Sequence, residues 1–179
     1  MFYVSEIQNT APEKYLTPLQ EKVYQTLNKL QIPFERVDTD AAVTMEDCTD
    51  INEKLNMKMV KTLFLCNRQQ TSCYLFITAG DKPFRSKDFS TALNIARVSF
   101  APVELMETVL GTKIGAVTIF SCLLDTERKV SVVFDKAVLE EKWYGCSDGT
   151  TTGYMKVHTD DIYRKFLSFT KHIPSVIEV

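Results

Sequence analysis

Two apolar runs, residues 62–66 and 73–78, stand six residues apart, and the six between them (Asn67-Arg68-Gln69-Gln70-Thr71-Ser72) are polar. Short apolar runs bounded by a polar turn read as paired strands. Neither run alternates with polar residues, so the hairpin belongs in the core of a sheet rather than on its rim. Whatever the chain folds into has to be built around it.

The flanking segments supply the rest. Thr17 can cap a helix that opens with Pro18 at its first position, and Gln20 completes a capping box. Leu19, Val23, Leu27 and Leu30 recur at helical spacing until Pro33. Residues 34–37 read as a strand, and residues 44–55 as a second helix started by Thr44 and Asp47. Ser86 opens a third helix, and 97–100 is a short strand. Pro102 and Gly111 frame a helix over 103–110. The spacing predicts strands at 117–124 and 130–134, paired with each other, and a short helix or turn over 135–142. Two more strands, at 143–144 and 154–157, surround a Gly/Ser/Thr-rich loop. Thr159 is expected to cap a final amphipathic helix. This order of hairpins and crossovers predicts one α/β domain with a mixed, strongly curved, barrel-like sheet surrounded by helices.

Composition excludes several classes. The 179 residues suit one domain with a sizeable core. No run approaches the roughly 20 apolar residues of a membrane helix, and the N-terminus lacks the pattern of a secretory signal. A net charge of -2 argues against a broadly basic nucleic-acid coat, so any such contact is local. Five scattered cysteines and two isolated histidines predict neither a disulfide framework nor a zinc site, and fit a cytoplasmic protein without a metal or other cofactor. Cys66 and Cys73 are expected to face each other across the hairpin as buried free thiols, with a redox pair as the alternative.

Three segments could carry chemistry. Lys61 heads the first apolar run, where an ammonium can hold an anion or a carbonyl oxygen. Gly111 to Phe120 holds two glycines, and Gly115-Ala116 lets a ligand approach bare backbone N–H groups. It is neither a P-loop nor a dinucleotide fingerprint, because the glycine and lysine spacing is wrong. Residues 145–153 are rich in small and hydroxyl side chains and include Cys146, a conceivable nucleophile.

Lys61-Thr62-Leu63-Phe64-Leu65, then Ser99 to Leu105, then Gly115 to Phe120 together resemble the YbaK/ProX-type aminoacyl-tRNA editing family, and most closely its free-standing Ala-tRNA(Pro) deacylases. Residues 37–47 are also similar, and the resemblance spans about residues 20–170. It implies a deacylase-like domain over 16–179; residues 1–15, which have no clear period, read as an N-terminal extension. It implies hydrolysis of the ester between a wrong amino acid and the tRNA 3′ end. Lys61 and Gly115 correspond to the functional lysine and the substrate loop. Ala116, Val117, Thr118, Ile119 and Phe120 continue that loop, with Ile119 where the usual residue is proline. Thr39 stands near a usual histidine, Gly145-Cys146 replaces His-Pro, and Gly149, followed by Thr150, replaces asparagine. Val43, Thr44 and Met45 complete the expected substrate-binding set.

The partner so implied is a tRNA acceptor end carrying a small amino acid, with prolyl-tRNA synthetase or other translation factors beyond it and no membrane. A local basic rim would draw on Lys54, Lys58, Lys82, Arg85, Lys87 and Lys113. The competing readings are a non-catalytic module that binds an aminoacyl-tRNA or amino acid, and a thiol enzyme using Cys146.

Overall fold

The computed structural model describes residues 1–42 and 44–179. Its strands in chain order are β1 (Glu35–Asp38), β2 (Val60–Asn67), β3 (Cys73–Ala79), β4 (Val98–Phe100), β5 (Val130–Asp135), β6 (Trp143–Ser147), β7 (Gly153–His158) and β8 (Ser175–Ile177). The helices are α1 (Pro18–Lys29), α2 (Thr49–Leu55), α3 (Ser86–Leu93), α4 (Val103–Leu105), α5 (Lys136–Leu139) and α6 (Leu167–Thr170). Wide helical turns extend α4 through Met106–Leu110 and lead into α6 from Asp161–Phe166.

The hairpin is where the sequence places it. β2 and β3 pair antiparallel at the centre of a five-stranded sheet of order β4-β2-β3-β5-β8, with Cys66 directly opposite Cys73. Both thiols are free, but only Cys66 is buried; Cys73, expected to be buried too, is half-exposed at the start of β3. β5 joins β3 in parallel, and β8, which the sequence reading did not anticipate, joins β5 in parallel. A second sheet of order β1-β7-β6 is antiparallel throughout. The main core lies between the two sheets. Phe64, Leu75 and Ile77 meet Tyr144, Met155 and Val157 there, with Val23 and Leu27 of α1 packed among them. Each such buried side chain contributes roughly 1.5–3 kcal/mol.

α1 starts as its sequence dictates. Thr17 Oγ1 accepts the Gln20 N–H at 3.0 Å, and Pro18 stands at the first position. The reciprocal bond shifts by one residue, because Gln20 Oε1 accepts the N–H of Leu16 at 2.7 Å. Thr44 and Asp47 bond reciprocally too, but across a turn, and α2 begins only at Thr49.

Three expectations are corrected. No sheet closes into a barrel or curls strongly: two separate sheets meet at a single bridge between Met59 and Gly145. Residues 117–124 contain no strand. Ile119–Leu123 form a 3-10 helix capped by Thr118, and β5 takes β3 as its partner instead. An apolar run buried on every side has no period to separate strand from helix. Thr159 makes no capping bond either, since its buried hydroxyl has no hydrogen-bond partner.

Residues 3–10 run alongside β1. Gln8 and Arg36 exchange backbone bonds of 2.9 and 2.7 Å, and the buried Arg36 guanidinium donates to the Thr10 carbonyl, Asp38 and Gln8.

Candidate functional site

β2 begins beside the bridge that joins the two sheets, and a cavity of about 200 Å³ opens there. It gathers Thr44, Met45, Lys61, Gly115, Val117 and Cys146 of the residues expected from the sequence. Four separate segments therefore converge, and none lies within a dozen residues of the next. Met59, Thr62, Cys48 and Tyr154 also line it, and the sequence reading missed them. Met59 and Thr62 flank Lys61 closely enough that its position alone could have pointed to them. Cys48 and Tyr154 come from α2's entry and β7, and no local signal marks them.

Lys61 is half-buried, and its ammonium donates to the backbone carbonyl of Lys82. That carbonyl sits on a turn closed by the Lys82 N–H on Ala79 (3.1 Å) and anchored by the Lys82 ammonium on Asp135 (2.8 Å). Asp135 also accepts the Thr78 hydroxyl at 2.7 Å, directly across from Lys61 in the β2–β3 register. Burial would raise the Asp135 pKa, but the bonds from Lys82, Thr78 and Ala137 outweigh it and hold the carboxyl below its usual range. The arrangement fixes Lys61 through an uncharged acceptor.

Gly115 holds φ +88°, a conformation that a side chain strains, and with Val117 it forms the loop's wall of the cavity. Ala116 is buried, and its N–H is spent on the Lys113 carbonyl at 3.0 Å. Gly145 touches Met57 so closely that an added Cβ would lie 2.5 Å from Sδ.

The remaining expected residues do structural work. Thr118 donates to the Ser147 carbonyl at 2.8 Å, and Ile119 and Phe120 are fully buried in the main core. Gly149 turns against Leu19, and Thr150 bonds to Asp148 (2.7 Å). Thr39 bonds its own neighbourhood, with its hydroxyl on the Asp40 carbonyl (2.7 Å). Val43 lies outside the described residues. Burial pushes the Cys146 thiol well above its usual range, with the Asp148 charge adding to it, and raises Cys48 to about 11. Burial thus opposes thiolate formation at both, the reverse of what a nucleophilic cysteine needs. Lys58 and Lys82 of the expected basic rim line a wider cleft next door, while Lys54 pairs with Glu6 at 3.1 Å.

Lys61 at the mouth of β2 and the Gly115 loop thus line one cavity. The profile of the aminoacyl-tRNA editing domain matches residues 39–165, most of the chain. The chain belongs to the aminoacyl-tRNA editing domain family. Membership makes it an editing protein of the YbaK/ProX type. It is 28% identical over 117 residues to the prolyl-tRNA editing protein ProX of Acetoanaerobium sticklandii, covering 65% of this chain and 71% of that one. It is 25% identical over 161 residues to the prolyl-tRNA synthetase associated domain-containing protein 1 of Danio rerio, covering 89% and 86%. A solved structure assigned as a candidate trans-editing enzyme for prolyl tRNA synthetase superposes with a TM-score of 0.63 at 15% identity, over 92% of this chain and 99% of that chain. No helix among the described residues is long and apolar enough to cross a membrane.

Proposed function

We propose that this chain is a trans-editing deacylase that hydrolyses the ester of a mischarged tRNA, with Ala-tRNA(Pro) as its substrate. The observation that carries this reading is the convergence of Lys61 and the Gly115 loop on one small cavity. At roughly 30 Å³ per water, its 200 Å³ holds about half a dozen water-sized atoms. That accommodates an alanyl group and one attacking water. The larger cognate prolyl group would press on Met45 and Val117, a discrimination by size.

In this reading Lys61 holds the tRNA end through a phosphate or a ribose hydroxyl, sharing or replacing the Lys82 carbonyl. The N–H groups of Gly115 and Val117 receive the oxyanion that forms as water adds to the ester carbonyl. No carboxylate or imidazole is among the described residues that line the cavity. The vicinal ribose hydroxyl therefore orients the water, takes a proton from it as it adds to the carbonyl, and passes its own proton to the departing ribose oxygen as the ester C–O bond breaks.

The test is a panel of mischarged tRNAs, followed for deacylation by wild type, Lys61→Ala and Cys146→Ala. Loss of turnover in Lys61→Ala alone supports the proposal, and binding without turnover in wild type replaces it with a non-catalytic module. A tRNA whose terminal vicinal hydroxyl is replaced by hydrogen should not be turned over, and an undiminished rate would sink the substrate-assisted step.

A further inference from the structure

Cys66 and Cys73 stand directly opposite each other where β2 and β3 meet the 67–72 turn. The Asn67 N–H donates to the Ser72 carbonyl at 3.1 Å, so residues 67 and 72 form a hydrogen-bonded pair. Pairs alternate along an antiparallel ladder, which makes Cys66 and Cys73 a non-hydrogen-bonded pair. The other side of β2 agrees. The Ala101 N–H donates to the Phe64 carbonyl at 3.0 Å, so the backbone groups of Phe64 and Cys66 face β4, not β3. In a non-hydrogen-bonded pair the Cα atoms lie about 4.5 Å apart, inside the range of about 4.4–6.8 Å that a disulfide spans.

Both side chains point into the main core, where Cys66 is part of the packed cluster and Cys73 lies against it. They differ in access: Cys66 is buried, and Cys73 is half-exposed beside the polar turn. Burial raises the pKa of both thiols, and at Cys73 the neighbouring Cys66 and Asp125 add to it. The two sulfurs therefore lie within each other's field. Among the described residues no other cysteine faces a cysteine across a ladder: Cys146 faces Met155, and Cys48 and Cys122 lie outside the strands.

We propose that Cys66 and Cys73 form a reversible redox site, in which a hydroperoxide closes a cross-strand disulfide and a small thiol reopens it. The accessible Cys73 sulfur attacks a peroxide oxygen and the O–O bond breaks. The departing hydroxide leaves as water with the thiol proton, and Cys73 becomes a sulfenic acid. The Cys66 sulfur then attacks the Cys73 sulfur, the S–O bond breaks, and the hydroxyl leaves as water with the Cys66 proton. One peroxide is reduced to two waters as two thiols are oxidised to one disulfide. Opposed Cβ atoms in a ladder lie about 4.5–5.5 Å apart and a disulfide draws them to about 3.8 Å. Closing the bridge therefore pulls the strands together, and that strain makes it easy to reduce. The pair is roughly 16 Å along β2 from Lys61, at about 3.3 Å per residue, so the proposal stands apart from the editing reading.

The experiment treats the full chain with hydrogen peroxide, blocks the remaining thiols with iodoacetamide, unfolds the protein and digests it with trypsin. Arg68 lies between the two cysteines, so trypsin separates residues 62–68 from 69–85 and only the bridge holds these peptides together in mass spectrometry. The linked pair should appear on oxidation and be lost when excess reduced glutathione precedes the block. In Cys66→Ser the bridge should be lost and Cys73 should accumulate as a sulfenic acid that dimedone traps. Cys73→Ser should give neither product, since Cys66 is buried. The wild-type digest decides without either variant having to fold. Oxidation with no linked peptide, a bridge to Cys48, Cys122 or Cys146 in its place, or a bridge that glutathione leaves intact would each overturn the proposal.

Discussion

Removing the Asp148 carboxyl should unfold the loop behind the cavity. Asp148 is buried between β6 and β7 and accepts four bonds: Gln20 Nε2 at 2.9 Å, the Tyr24 hydroxyl at 2.8 Å, and the Thr150 hydroxyl and N–H at 2.7 and 3.2 Å. It thus ties α1 to the loop that follows Ser147. In Asp148→Ala the Thr150 hydroxyl can turn elsewhere, but the Gln20 amide, the Tyr24 hydroxyl and the Thr150 N–H are stranded. At about 1–3 kcal/mol for each stranded donor, with some relief from entering water, the loss comes to about 3–5 kcal/mol. Asp148→Asn keeps the shape and one acceptor oxygen and should lose about 1–2 kcal/mol. Urea unfolding followed by Trp143 fluorescence and far-ultraviolet circular dichroism measures both. Tyr24→Phe sharpens the test. Alone it should cost about 1 kcal/mol, but in the Asp148→Ala background it removes an orphaned hydroxyl and should cost nothing. If Asp148→Ala loses less than about 1 kcal/mol, or Tyr24→Phe costs the same in both backgrounds, the network does not hold the loop and the reasoning fails.

Met45→Ala opens the wall shared by the cavity and the cleft, and should raise deacylation of Pro-tRNA(Pro) relative to Ala-tRNA(Pro), measured as the ratio of kcat/KM values. Gly115→Ala places a side chain at φ +88°, a strain of about 1–2 kcal/mol, and should cut kcat more than it lowers Tm. Acid should destabilise the chain through Asp125 and Asp135. Burial raises the pKa of Asp125, but its bonds from His172, Val130 and Lys129 prevail, and like Asp135 it ends below its usual value. Just below about pH 4 the unfolded carboxyls bind protons that the folded ones refuse, so their contribution is complete above that pH and lost as pH falls through the folded values. Urea midpoints between pH 6 and 3 should therefore fall, and Asp125→Asn should flatten that slope.

Local chemistry made much of this protein legible. The hairpin, α1 with its Thr17 cap, and the three segments of the editing family all lie within short windows whose spacing carries the information. Lys61, Gly115 and Val117 could be assigned to one site because a family resemblance ordered them, and the fold places all three on one cavity. The same resemblance grouped Thr118, Ile119, Phe120, Gly149 and Thr150 with them, yet these side chains or turns serve the core and the Asp148 network. Sequence adjacency puts a residue near a site but does not say which way it faces.

What the tertiary structure alone decided is the set of long-range pairings. Ile119 and Phe120 sit in a 3-10 turn because the main core surrounds them and β3 already has β5 as its neighbour. The two sheets meet at Met59 and Gly145, where Gly145 lacks the side chain that would push Met57 and the strand apart. The small cavity exists only at that junction. Residues distant in sequence meet there through pairings that no local window encodes, since strand partners are chosen by the packing of whole faces rather than by the strands' own residues.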